Sequence, residues 1–377
     1  MSAGSRENDM KSTLLKVVGL GAISAAAGFL VMPERFWANA LLAGLFTLTV
    51  SLGAALFLAI QYVSDASWSR GLRRICECLA ASVVVGEVLV FLAVAFGARS
   101  LYGWIHAHGH LPHAQELWLF RPFQFSRLFV YFGVWSAMIF ALLKRPSRGL
   151  AAAFLAVFAV TFTLAGMDWV MALEPHWFST MFGLYLFAGT FQCALAVIIV
   201  MAVLLRETDA MRRVVNADLY HDLGKLLFGF SSFWAYIWFC QFLLIWYSNL
   251  PEEAGFHLLR LSGGWGALSA LTVVLNWAVP FFVLMTRSAK RNSRVIFRVG
   301  LGVILGHWLD LYVLVMPRFL PHGPSLAGWE AGLMAGVIAA FGWTLACLWS
   351  RTALQESGMM PSRLRTSATR PPGSMGF

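Results

Sequence analysis

Charge is what this sequence has least of. Only 12% of its 377 residues are Asp, Glu, Lys or Arg, while 59% are hydrophobic. A soluble domain is roughly a quarter charged and half apolar. The shortage excludes an ordinary soluble fold and points to a bilayer, and a mean hydropathy of +0.71 agrees. Cysteine is scarce too. Cys76, Cys78, Cys193, Cys240 and Cys347 form no CxxC pair and no set of four. That argues against an iron–sulfur cluster or structural zinc in this chain and for buried, inert thiols. Long alternating runs are missing, so a β-barrel is no rival. No small-residue cleavage motif follows the first apolar run from Leu14, which reads as a retained helix. Paired deep histidines are also missing: only His307 falls well inside an apolar run, so no intrinsic haem or other resident cofactor is expected.

What the chain does have is long apolar runs, each near the roughly 20 residues a spanning helix needs. Ten are expected, at about 13–32, 36–62, 75–98, 126–143, 149–171, 177–205, 222–247, 265–286, 294–317 and 326–350. The fold class is therefore an all-α integral membrane protein. Of the 28 Lys and Arg, 22 fall in alternate connections and the two ends. The other side holds Arg35, Arg99, Arg121, Arg127, Arg260 and Arg318. The positive-inside rule then puts both termini in the cytoplasm. Orientation and lipid headgroups account for the net charge of +10, and no nucleic-acid partner is implied. Residues 1–350 form one transmembrane domain. Residues 351–377, rich in Ser, Arg, Thr, Pro and Gly, form a cytoplasmic tail. Gly328, Gly332 and Gly336 give the last helix a close-packing face, for this chain or for another subunit.

The stretch MDWVMALEPHWFSTMFGLY, residues 167–185, falls at the outer face. Glu174 and Pro175 suit a helix break, and Trp169, Trp177 and Tyr185 suit an aromatic belt. The histidines of the longer outer loop, His106, His108, His110 and His113, read as a solvated loop, with metal binding or docking as alternatives.

Ionisable groups at membrane depth are costly and mark candidate functional sites. Glu87, Gln192, Asn276, His307 and Asp310 fall near the middle of four runs. They are either a hydrogen-bonded plug that fixes packing or a proton path, since acids and imidazoles exchange protons near neutrality. Asp222 and Lys225, with His221, stand at the cytoplasmic start of the seventh helix. There Asp222 suits capping, with a path mouth as the alternative. A second set nears the outer face: Asp168, Glu174 and His176, with Gln241 and Tyr247. A quinol needs an apolar slot and an acid or histidine to take each hydroxyl proton. Asp168 and His176 fit that role by type and depth. A structural role at the break is the plainer reading of Glu174 and His176.

The segments DLGKLLFGFSSFWAYIWFCQFLLIWYSNLPEE (222–253), DWVMALEPHWFSTMFGLYLFAG (168–189) and GHWLDLYVLVMP (306–317) resemble the NrfD-like membrane subunits of bacterial alternative complex III. RPFQFSRLFVYFGVW (121–135) carries a weaker likeness. The short chain and the HWLDLY segment are closer to the smaller, ActF type than to its larger paralogue, ActC. The resemblance implies two four-helix bundles, helices 2–5 and 6–9, with a peripheral pair, in the bacterial inner membrane. It implies a quinol-oxidising respiratory complex. The expected partners are an ActC-like paralogue, an iron–sulfur subunit, multihaem cytochrome c subunits, small membrane subunits and membrane lipids, with a terminal oxidase as a further candidate. Haem and iron–sulfur clusters are expected in those partners. In that family the better supported quinol site belongs to ActC, and ActF is argued to support the complex and conduct protons. The histidine-rich loop and the tail depart from the family pattern. A quinol-binding electron-entry role is the first rival. A secondary transporter is the second, although paired Gly/Pro-broken midplane segments are missing.

The charge pattern makes a direct prediction. A cysteine placed at Ser147 should react with impermeant maleimide only from the cytoplasmic face, and one at Leu250 only from the opposite face. Both reacting from one face would overturn the assignment.

Overall fold

The computed structural model describes residues 3–105, 113–175, 177–208, 211–212, 214–248 and 250–356. His176 and the loop histidines His106, His108 and His110 lie outside the described residues, as do residues 357–377 of the tail. Among the described residues the chain is all-helical, with no strand. Ten helices are long and apolar enough to cross a membrane. They are α1 (Asn8–Val31), α2 (Pro33–Ser64), α3 (Arg70–Leu101), α4 (Arg121–Lys144) and α5 (Arg148–Leu173), then α6 (Phe182–Leu205), α7 (Ala217–Ser248), α8 (Gly263–Val283), α9 (Ser293–Arg318) and α10 (Gly328–Arg351). Each expected run has its helix.

α2 is the axis of the molecule. Every residue from Ala38 to Ala59 is buried, and the helix packs against α3, α5, α6, α9, α1 and α10. A helix that is apolar all round belongs inside, and small residues let its neighbours come close. A Cβ on Gly53 would lie 2.8 Å from the Thr190 carbonyl oxygen of α6, and one on Gly86 of α3 would lie 2.5 Å from the Leu48 nitrogen. Around this axis α4 packs on α5, α5 on α6, α6 on α7 and α9, and α8 on α9.

α1 and α10 lie against each other at the periphery. Gly332 faces Ser24, and Gly336 faces Gly21. The glycine face of the last helix is thus used within the chain.

Local chemistry sets the interruptions. α3 breaks at Ser82, between helical stretches Arg73–Ala81 and Val83–Leu101. α5 ends in a 3₁₀ turn, Met171–Leu173, just before the Glu174-Pro175 pair that disfavours helix. α8 contains a π-helical turn, Val274–Ala278, around Asn276; such turns are common at functional sites. Two shorter helices matter below, His113–Leu119 and Pro251–Leu261.

One expectation is corrected. Trp169, Trp177 and Tyr185 are buried in the core rather than set in an aromatic belt. Their rings meet other aromatic rings: Trp169 packs on Tyr131 and Trp135, and Trp177 stacks on Phe256 at 3.6 Å. Exposed aromatics at that end include Phe120, Phe178, Trp246 and Tyr247.

Candidate functional site

The buried carboxylates fall into two kinds, those that face an arginine and those that do not. Asp168, on the last turns of α5, is 0% exposed. Arg127 of α4 grips it with two parallel bonds, Nε to Oδ2 and Nη2 to Oδ1, both 2.7 Å. The Trp118 indole donates to Oδ1 at 2.8 Å, and the Tyr131 hydroxyl donates to Oδ2 at 2.9 Å. Four donors thus hold the carboxylate, and the guanidinium lies over the Trp118 ring at 4.0 Å. Charge-assisted forks of this kind are among the stronger bonds in proteins.

Two further arginines act alike. Arg35 of α2 binds Glu330 of α10 at 2.5 Å through both Nε and Nη2, and Asn39 adds a bond to the same carboxylate at 2.7 Å. Arg260, on the helix Pro251–Leu261, donates to Glu174 Oε1 at 2.7 Å. It also donates to the Val313 and Leu314 carbonyls, each at 3.0 Å. Those are last-turn carbonyls of α9, so a cation closes that helix end. Burial pulls the Arg260 pKa down from its ordinary value, and Glu174 opposes the shift. Beside it, burial and the Arg260 charge hold His257 down to about 4, and its Nε2 is buried without a partner among the described residues.

Glu87 and Asp310 have no cation among their hydrogen-bond or ion-pair partners in the described residues. Glu87 of α3 accepts a bond from Ser136 of α4 at 2.7 Å through Oε2, and its Oε1 meets no partner. Asp310 of α9 accepts a bond from the Tyr185 hydroxyl of α6. His307 is one turn back on the same face of α9. Its Nε2 lies 3.2 Å from Thr49 Oγ1 of α2. Gln192 of α6 donates to Ser231 of α7 at 3.1 Å and to the Asn276 carbonyl in the π turn at 2.5 Å.

The structure therefore brings most of the first candidate set together on neighbouring helices, as a polar seam of separate hydrogen-bonded groups. Gln192, Asn276, His307 and Asp310 lie among α2, α6, α7, α8 and α9, and all four are buried. Glu87 stands apart. α2 intervenes, its Leu48 against Gly86 of α3 and its Thr49 against His307.

Asp222 and Lys225 pair with each other at 2.7 Å on a well-exposed face of α7, where such pairs contribute little. The capping role expected of Asp222 is corrected: the Asn216 side chain accepts from Leu219 N at 2.8 Å, and Asp222 lies further along.

The outer set divides as well. Asp168 and Glu174 are held by arginines, Gln241 is buried within α7, and Tyr247 is 84% exposed. Next to Asp168 is an apolar pocket of about 430 Å³. Trp118, Leu164, Met167, Met171, Trp177 and Phe178 line it. The Trp177 Nε1 atom is buried and has no partner among the described residues.

No protein-family model matches the chain, and no curated protein matches it significantly. The functional reading therefore stands on the residues themselves.

Sequence reasoning missed Arg127, Arg35 and Arg260 as partners of the acids. The signal was present in the connections poor in Lys and Arg, where Arg35, Arg127 and Arg260 each hold an acid. It also missed Thr49, Ser136, Tyr185, Ser231 and Trp234, because a hydroxyl or indole in an apolar run looks like filling.

Arg127→Met should cost about 3–5 kcal/mol, since it leaves a buried carboxylate without its cation. Arg127→Met with Asp168→Leu should recover most of that loss. Thermal midpoints of the purified chain test the pair, and a double variant no more stable than the single would refute the account.

His257 adds a pH dependence. Its folded pKa lies below the unfolded value near 6.5. Stability is fully present above that value and declines as pH falls toward about 4, because the unfolded chain takes up a proton that the folded site refuses. His257→Phe should flatten the midpoint against pH over this window; an unchanged slope would remove His257 from the account.

Proposed function

We propose that this chain is a multi-pass subunit of a quinol:electron acceptor oxidoreductase of the alternative complex III type, close to ActF. It supports the complex and carries protons. The observation behind the proton role is the contrast between the two kinds of buried carboxylate. Asp168 and Glu330 are neutralised by arginines and act as fasteners. Glu87 faces a serine hydroxyl, and Asp310 a tyrosine hydroxyl and the Trp234 indole; a carboxyl group at membrane depth without a cation is suited to taking up and releasing protons. Two hydrogen-bonded groups lie on the neighbouring helices, Thr49 with His307 and Gln192 with Ser231 and the Asn276 carbonyl, and would supply further polar stations.

The expected companions are an ActC-like paralogue, an iron–sulfur subunit and multihaem cytochrome c subunits, which would hold the redox groups. Small membrane subunits would complete the assembly, in the bacterial inner membrane with both termini cytoplasmic. The packing of α2 on α3 and α5, and of α6 on α7 and α9, supports a division into two four-helix bundles.

A second reading has its own observation. The pocket beside Asp168 has apolar walls, the Trp118 and Trp177 rings among them. An apolar slot of this kind suits a quinol or quinone ring. In this reading Arg127 would keep Asp168 from serving as the base.

Affinity purification of the full chain from its native membrane in mild detergent tests the assembly. Co-purifying c-type haem, iron–sulfur protein and quinol oxidation are expected, and recovery of the chain alone would count against it. In that complex, Glu87→Gln and Asp310→Asn should leave quinol oxidation near the wild-type rate and lower the proton-to-electron ratio in vesicles. Unchanged ratios in both would remove the proton role.

A further inference from the structure

At the end of the molecule that the Lys and Arg pattern assigns to the cytoplasm, a pocket of about 380 Å³ lies between the last turns of α2 and the start of α3. Gln61, Tyr62, Asp65, Ser69, Arg70 and Arg73 give it polar walls. Its base is apolar, formed by the buried side chains of Phe57, Leu58 and Cys76. The turn between the two helices sets this geometry. Asp65 closes α2 in the left-handed conformation, φ 50°, which Asp adopts more readily than most residues.

The charges around the pocket are loosely matched. Arg70 stands 4.0 Å from one Asp65 oxygen, and Arg148, at the start of α5, stands 3.9 Å from the other. Both distances are too long for hydrogen bonds, so neither guanidinium is tied down by that carboxylate. Arg73 gives its Nε to Glu77 at 2.6 Å, and its guanidinium carbon lies 5.7 Å from the centre of the Tyr62 ring. Three arginines against Asp65 and Glu77 leave one positive charge. The pocket therefore suits a ligand with one negative charge. A phosphodiester has that charge, and its oxygens match guanidinium donors.

Exposed apolar side chains point to where such a ligand comes from. Val63 and Trp68, on either side of Asp65 in the chain, are each 36% exposed. The Trp68 ring meets Phe57 of the pocket base edge-on at 6.1 Å. Tryptophan next to charge is the pattern of the lipid headgroup layer, and basic pockets between membrane helices on the cytoplasmic side take anionic headgroups. We propose that this pocket binds the headgroup of a singly charged phospholipid of the phosphatidylglycerol kind. The phosphodiester takes Arg70 and Arg73, and the Asp65 carboxylate accepts from a glycerol hydroxyl. The acyl chains leave past Val63 and Trp68. The site does not depend on the proton or quinol readings above.

The test uses the full chain in mild detergent, with bound lipid counted by native mass spectrometry. The wild type should hold one phosphatidylglycerol per chain. It should prefer that lipid about thirtyfold to phosphatidylcholine with the same acyl chains, roughly the factor that two arginines supply near an anionic lipid. Arg70→Gln with Arg73→Gln should abolish the preference. Those side chains are 75% and 48% exposed, so the fold should survive, which an unchanged thermal midpoint without added lipid checks. Arg294→Gln removes an exposed charge at the start of α9, outside the pocket lining, and should keep the preference. Equal losses in the double variant and in Arg294→Gln would reduce the effect to general surface charge and overturn the site. Ala66→Phe fills the pocket without touching a charge. It should release the lipid, and full retention would overturn the pocket as the place of binding. Millimolar inorganic phosphate should leave the lipid in place; displacement by it would assign the pocket to a soluble anion and overturn the lipid reading.

Discussion

The rest of the structure depends on burying α2 from all sides. A bilayer offers helices no hydrophobic drive to associate, because lipid chains are as apolar as leucine. What remains is close packing and the matching of polar groups. α2 supplies both. Glycines at or against it bring α3 and α6 to backbone contact. Two of its polar side chains reach other helices: Asn39 binds Glu330 of α10, and Thr49 faces His307 of α9. Six helices are thereby referred to one axis, which decides which of them face one another.

The three buried arginine–carboxylate pairs follow from the same constraint. They sit at the end of the molecule that holds few basic residues. Each ties segments distant in sequence: α2 to α10, α4 to α5, and the helix Pro251–Leu261 to the break after α5. In water such pairs contribute little. Out of water, the loss of one partner strands a charge, so the pair acts as a lock on the arrangement. The stack of Trp177 on Phe256, with Arg260 over the same Phe256 ring, fixes the Pro251–Leu261 helix against the α5 break by the same logic. Rigid fastening at this end leaves the unpaired carboxyl groups, Glu87 and Asp310, as the chemically free ones.

The interior seam is the counterpart. Its members come from five helices and bond mainly to hydroxyls, carbonyls and each other. The π turn in α8 belongs to this design: Gln192 takes the Asn276 carbonyl there.

Much of the architecture was legible in the amino acids alone. The number of spans and their approximate limits follow from apolar run length, because a lipid core accepts little else. The break at Glu174-Pro175 follows from proline's steric effect on the residue before it. The deep polar residues were visible as exceptions to that apolarity. What the sequence could not decide was pairing. Asp168 and Glu87 look alike along the chain, each a lone acid in an apolar run. Only the lateral packing of α4 puts Arg127 against one and Ser136 against the other. Likewise Trp169, Trp177 and Tyr185 suit an interface by composition, yet helix rotation turns them inward. Span and depth are properties of one helix and its solvent. Partner and electrostatic surroundings are properties of several helices at once, and tertiary packing alone decided them.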